Sequence, residues 1–241
     1  MNMRFFKLLA DAAFCIGLLV TVPAYATTPP PTVLYFQGIT GNDATGNAVA
    51  DGMANLRTDV LDIGVQSVRF LFTNDSNVSS LTDVYFADGA LFNKINRITV
   101  SNNGVVFSQG ANPKNLPGGN DIAVPFLTTA GFSADSDPPV SLNGVQNSDV
   151  TGEWLAIDFL LKDGKTFADV LFALTLPAGG DWLRVGLHVQ SFVGGYSESF
   201  INKPLAISPV PVPEPATYAM MATGLCLLGF AVHRRKQDKA A

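Results

Sequence analysis

The chain has 241 residues, 47% of them hydrophobic and 15% charged, and its 15 Lys and Arg against 20 Asp and Glu leave a formal charge of −5. That balance excludes the basic face that a nucleic-acid partner requires. So much apolar residue with so few charges also excludes an intrinsically disordered chain.

The first 26 residues read as a signal peptide for export through the Sec translocon. Arg4 and Lys7 give a positive start, Ala12 to Val22 form an apolar run, and Ala24-Tyr25-Ala26 fits the small-x-small rule for signal-peptidase cleavage before Thr27. The run is too short for a hydrocarbon core that needs about 20 residues, so a cleaved signal helix is expected rather than an anchor. Residues 27–203 are expected as one domain. Between residues 27 and 212 nine Lys and Arg stand against seventeen Asp and Glu, a charge of −8. Cys15 and Cys226 both lie in the ends, so the body has neither a disulfide nor a thiolate metal ligand.

Strand patterns fill the body. Thr32 to Phe36 is β-rich after a proline run, and Val65 to Thr73 sets Val68, Phe70 and Phe72 on one face. Asp83 to Phe86 runs into an Asp88-Gly89 turn. Ile98-Thr99-Val100 and Val105-Val106-Phe107 flank Asn102-Asn103-Gly104, which predicts a hairpin because Asn and Gly tolerate positive φ. Gly110 to Pro139 reads as loop. Trp154 to Leu161 and Leu183 to Gln190 alternate, the second with Leu183, Val185, Leu187 and Val189 opposite Arg184, Gly186, His188 and Gln190. Between them Thr166 and Asp169 have the types of a capping box, and Phe167, Val170, Leu171 and Leu174 follow at helical spacing. The fold expected is mostly β: a single antiparallel β-sandwich with one short helix closing an open end.

The C-terminus has its own organisation. Residues 204–215 carry five prolines and read as an extended spacer. Val212-Pro213-Glu214-Pro215 then precedes seventeen uncharged residues, 216–232, and the cluster Arg234-Arg235-Lys236 within the tail 233–241. As a helix the uncharged run reaches roughly 25 Å, enough for a short transmembrane helix. The basic cluster places the tail in the cytoplasm and the body outside.

Pro-Glu-Pro, a Gly- and Leu-rich span and a terminal Arg-Arg-Lys together resemble the PEP-CTERM sorting tail of exported proteins in Gram-negative bacteria that make exopolysaccharide. The resemblance implies recognition by an exosortase, processing near Pro-Glu-Pro, transit through the inner membrane and delivery to the cell surface or medium. Leu183 to Phe192 with Gly194 to Phe200 also resembles a block near the end of many exosortase-sorted proteins, and it carries over no catalytic residue.

The body offers little chemistry. A serine hydrolase needs a base beside its nucleophile, and His188 is the body's one histidine, with no Gly-x-Ser-x-Gly elbow. Glu153 beside Trp154, and Glu198 near Tyr196, are the carboxylates a glycosidase would use as a pair. A calcium ion would take Asp135 and Asp137 of an Asp-x-Asp loop, with Asn74 to Asn77 and Asp83 with Asp88 as further oxygen clusters. The competing reading is that these side chains cap turns. The function expected is a non-enzymatic surface or extracellular-matrix protein without a required cofactor. A carbohydrate-binding module associated with exopolysaccharide, with Trp154, Trp182 and Tyr196 as platforms, is the alternative, and a glycan hydrolase the third.

Overall fold

Alternation decides the layers. In strand β4 (Ser67–Asn74) Val68, Phe70 and Phe72 are fully buried while their neighbours are half-exposed. A computed structural model describes residues 32–177, 182–206 and 223–229, and its body is two antiparallel sheets enclosing one apolar core. The five-stranded sheet runs β1 (Thr32–Leu34), β3 (Leu56–Asp62), β4, β9 (Leu155–Leu161), β6 (Phe92–Val100). The six-stranded sheet runs β2 (Phe36–Gly38), β11 (Tyr196–Asn202), β10 (Leu183–Phe192), β5 (Ser80–Asp88), β8 (Ser133–Ser136), β7 (Phe107–Gln109). This is the mostly-β sandwich that the alternation predicts.

Phenylalanine dominates the space between the sheets. Phe159 stacks on Phe92 with ring centroids 4.1 Å apart and meets Phe86 edge-on at 4.7 Å. Phe70 and Phe132 add further edge contacts to the same ring. The quadrupoles of aromatic rings favour such tilted and offset arrangements.

Helix α4 (Phe167–Thr175) closes one side of this core. Its capping box is formed: the Thr166 N–H donates to the Asp169 carboxylate at 2.7 Å, and the Thr166 hydroxyl accepts the Asp169 N–H. Val170, Ala173 and Leu174 are buried on its inner face.

Four features depart from the sequence expectation. The segment Thr32 to Phe36 is not one strand. It crosses between sheets at the exposed Tyr35, so that β1 pairs with β3 and β2 with β11. The Asn102-Asn103-Gly104 segment joins no hairpin either. β6 pairs with β9 and β7 with β8, and the connection passes from one sheet to the other with Val105 buried in the core. Two contacts hold it there: the Asn103 amide donates to the Thr151 carbonyl, and the Ser101 N–H to the Trp154 carbonyl at 3.0 Å.

The third departure is the helix count. α1 (Asn47–Asn55) is a second helix of nine residues, and α2 (Val140–Asn143) and α3 (Ser148–Thr151) are single turns. The fourth is the loop-rich stretch after Gly110, which forms a third layer. Ala111, Leu116 and Phe126 pack on Tyr85, Ala87 and Ile201, the outward side chains of the six-stranded sheet. β5 is therefore buried on both faces.

The expected signal helix with Ala24, Ala26 and Thr27, the Val212–Pro215 motif and the Arg234–Lys236 cluster lie outside the described residues, as does most of 216–232. Within that span residues 223–229 are helical. Among the described residues no helix is long and apolar enough to cross a membrane.

Candidate functional site

A cleft of about 450 Å³ lies between α1 and the β10–β11 hairpin. Asp43, Thr45, Asn47, Ala48 and Asp51 form one wall, and Val78, Phe192, Val193 and Tyr196 the other. The volume falls within the range of small-ligand sites, and so does the mixture of apolar surface with a few polar groups.

Local chemistry shapes the polar wall. Gly46, which precedes α1, has φ 75° and no side chain to cap the helix. Asp43 does so from three residues earlier: its carboxylate accepts the Thr45 N–H at 2.9 Å, the Thr45 hydroxyl at 2.7 Å and the Ala48 N–H at 3.1 Å. These bonds, the Thr45 hydroxyl first, hold the Asp43 carboxyl below its ordinary pKa. Asp51 accepts from Asn55 and from the Ser79 hydroxyl, which ties α1 to the start of β5. Opposite, Gly194 and Gly195 at φ 91° and 78° turn the hairpin and present Val193 and Tyr196 to solvent.

Glu198 supports this wall from below. It is fully buried, and its carboxylate accepts the N–H groups of Thr40, Gly41 and Asn42 at 2.8, 2.9 and 3.0 Å, together with the Thr40 hydroxyl. Glu153 is buried as well and accepts the Gln146 N–H at 2.8 Å. The two share no hydrogen-bond partner. Each fastens its own loop through backbone N–H groups.

A second polar group lies on the outer face of the six-stranded sheet. Register places His188 of β10 opposite Asp83 of β5, and Asp83 opposite Asp135 of β8. His188 Nδ1 lies 3.0 Å from Asp83 Oδ2, and the Thr82 hydroxyl donates to the same oxygen at 2.8 Å. Tyr85 donates its phenol to the Pro113 carbonyl at 3.1 Å. Burial first, then the charges of Asp83 and Asp135, raise its pKa. Desolvation first and the adjacent Asp83 second push the Asp135 carboxyl up to about 6.

The expected calcium pair is thereby separated in its partners: Asp135 faces Asp83, whereas Asp137 accepts the Ser108 hydroxyl at 2.9 Å. Among the described residues no three His, Cys, Asp or Glu side chains converge as a metal site. Asp88 accepts the Leu91 and Phe92 N–H groups at 2.9 and 3.0 Å, and Asn74 holds the Ser79 and Val145 carbonyls. Both act as turn caps.

Trp154 and Trp182 are half-buried and lead into strands of different sheets. Trp182 lies under the Arg184 guanidinium at 4.8 Å. Of the three aromatic residues expected as platforms, only Tyr196 lines the cleft.

No curated protein and no solved structure matches the chain. A protein-family model does: residues 211–236 match the PEP-CTERM protein-sorting motif. The matched stretch contains Val212-Pro213-Glu214-Pro215, the uncharged span and Arg234-Arg235-Lys236. The chain thus carries, at its C-terminal end, the sorting signal of an exported substrate of an exosortase.

Proposed function

We propose that this is a non-enzymatic protein of the cell surface or extracellular matrix. It is exported through the Sec translocon, cleaved by signal peptidase before Thr27, and held briefly in the inner membrane by residues 216–232 with Arg234-Arg235-Lys236 in the cytoplasm. The exosortase then processes it near Pro213-Glu214-Pro215. The observation that carries this reading is the sorting motif at residues 211–236. The engagement of Glu153 and Glu198 with backbone N–H groups supports a body built for structure rather than turnover. The test is the mass of the mature chain from cells with and without the exosortase. Loss of the residues beyond Pro215 only where the enzyme is present is the expected result. An intact tail in both strains would overturn the reading.

The cleft favours a second reading, a module that binds neutral carbohydrate on the exopolysaccharide. Tyr196 offers an aromatic face, and Asp43, Asn47, Asp51 and Thr45 offer hydrogen-bonding groups across from it. Retention of the full chain on the organism's own polysaccharide, at least tenfold weaker for Tyr196→Ala, is the expected outcome. Equal retention of both proteins would remove the cleft from the function. Calcium, if it stabilises the body, must raise the melting temperature of the native chain over that in chelator.

A further inference from the structure

Among the described residues Arg184 is a buried cation without a counter-ion. It is 7% exposed, and the ion pairs among the described residues, Arg69–Asp158 and His188–Asp83, do not involve it. Nη1 donates to the Val124 carbonyl at 3.0 Å and the Pro125 carbonyl at 3.5 Å. The guanidinium also lies 5.1 Å from the Phe126 ring centre and 4.8 Å from that of Trp182. Its charge is therefore partly compensated by π faces and carbonyl dipoles. Nε and Nη2 have no protein acceptor among the described residues, and these carry three of the five N–H donors of an arginine. Desolvation lowers the Arg184 pKa, as expected for a cation held out of water.

The unused donors are not sealed in. The buried side-chain atoms that lack any partner among the described residues belong to Thr58, Ser80, Thr99, Thr128 and Ser199, so Arg184 Nε and Nη2 reach accessible space. Arg184 also lines a pocket of about 120 Å³, where the end of α4 meets β10, β11 and the chain after Asn202. Its other walls are Leu174, Leu176, Leu183, Ile201 and Pro204, with the Gln37 and Asn202 amides at the edge. A planar guanidinium fork recognises planar carboxylates with two parallel bonds. An apolar wall beside it favours a ligand with a short hydrocarbon portion.

We infer that Arg184 and this pocket form a binding site for a small aliphatic carboxylate, whose oxygens meet Nε and Nη2 and whose carbon chain lies against Leu174, Leu176 and Ile201. The volume admits a ligand of a few carbon atoms and not an oligosaccharide, so the site is distinct from the cleft beside α1. It does not depend on the sorting of the chain.

The experiment uses the full chain in non-ionic detergent with Trp154→Phe as background, so that Trp182, next to the guanidinium, is the remaining tryptophan. Propionate is titrated while Trp182 emission and the melting temperature are followed. A saturable change in emission with a rise in melting temperature is expected. Arg184→Gln, which removes the charge, and Leu176→Trp, read by melting temperature because it adds a fluorophore, should each weaken the response at least tenfold. The second variant keeps the arginine and fills the pocket, so the test stands even where the first fails to fold. No saturable response, or an undiminished one in Leu176→Trp, would overturn the site. Sulfate acting as well as propionate would overturn the assignment to an aliphatic carboxylate.

Discussion

Asp83 and Asp135 face each other in register across β5 and β8. Desolvation and the Asp83 charge raise the Asp135 carboxyl from 3.8 to about 6. A carboxyl raised on folding contributes stability that is fully present below its unfolded value and lost as pH climbs through its folded value. The window is therefore between about pH 4 and 6. Asp135→Asn removes the carboxyl that would otherwise ionise opposite Asp83. Its melting temperature should equal that of the natural chain near pH 4 and exceed it at pH 7. A difference that does not change with pH would show that folding does not raise the Asp135 carboxyl.

Gly52 of α1 packs against the Phe200 ring so closely that a Cβ there would lie 2.6 Å from Cε1. Phe200 is fully buried, so the ring has little room to withdraw. Alanine is the better helix former by about 1 kcal/mol. Overpacking costs typically 1–3 kcal/mol, and here the clash is with a ring rather than a flexible tip. Gly52→Ala should therefore destabilise the body by about 1–2 kcal/mol in denaturant titration. A stabilised variant would mean that α1 shifts freely on the sheet.

These contacts mark what was legible in the sequence. Val68, Phe70 and Phe72 alternate because one sheet face is buried, and the Thr166–Asp169 box is a local device, so both could be read from neighbouring residues. The position of α1 could not. Gly52 lowers helix propensity, and the segment Asn47–Asn55 makes sense only once Phe200, far along the chain, needs a surface without a Cβ. Likewise Asn102-Asn103-Gly104 has hairpin chemistry, but the register of β6 with β9 carries the strand away from β7. Arg184 reads as an outward strand residue. Its burial comes from the layer of Leu116 and Phe126, which a loop-rich composition does not announce. The cleft combines α1 with the β10–β11 hairpin, segments well separated in sequence, and of its residues only Tyr196 carried a signal, as an aromatic beside a glycine turn.

Phe159 is the hub of the aromatic core, in contact with Phe70, Phe86, Phe92 and Phe132. Its truncation opens a cavity that both sheets border, and neither sheet can close it without breaking register. Phe159→Ala should cost about 3–5 kcal/mol, a large fraction of the roughly 5–15 kcal/mol by which an ordinary domain is stable. Phe159→Leu should recover more than half of that loss. Circular dichroism melts of the two variants provide the comparison.

Glu198 differs from every other carboxylate described, because its acceptors satisfy three consecutive backbone N–H groups of the 40–42 loop from a fully buried position. Glu198→Ala leaves those donors without partners and leaves the loop that carries Asp43 untethered. Unsatisfied buried donors cost about 1–3 kcal/mol each, so a loss of roughly 3 kcal/mol is expected after the loop relaxes toward water. Glu198→Gln keeps one acceptor oxygen and should lose about half as much. Hydrogen exchange separates this from a general loss of stability: the amides of Thr40, Gly41 and Asn42 should exchange faster by orders of magnitude in Glu198→Ala, while those of β4 and β9 follow the global change alone. Uniform acceleration across the body would show that Glu198 does not hold the loop, and with it the polar wall of the cleft would lose its anchor.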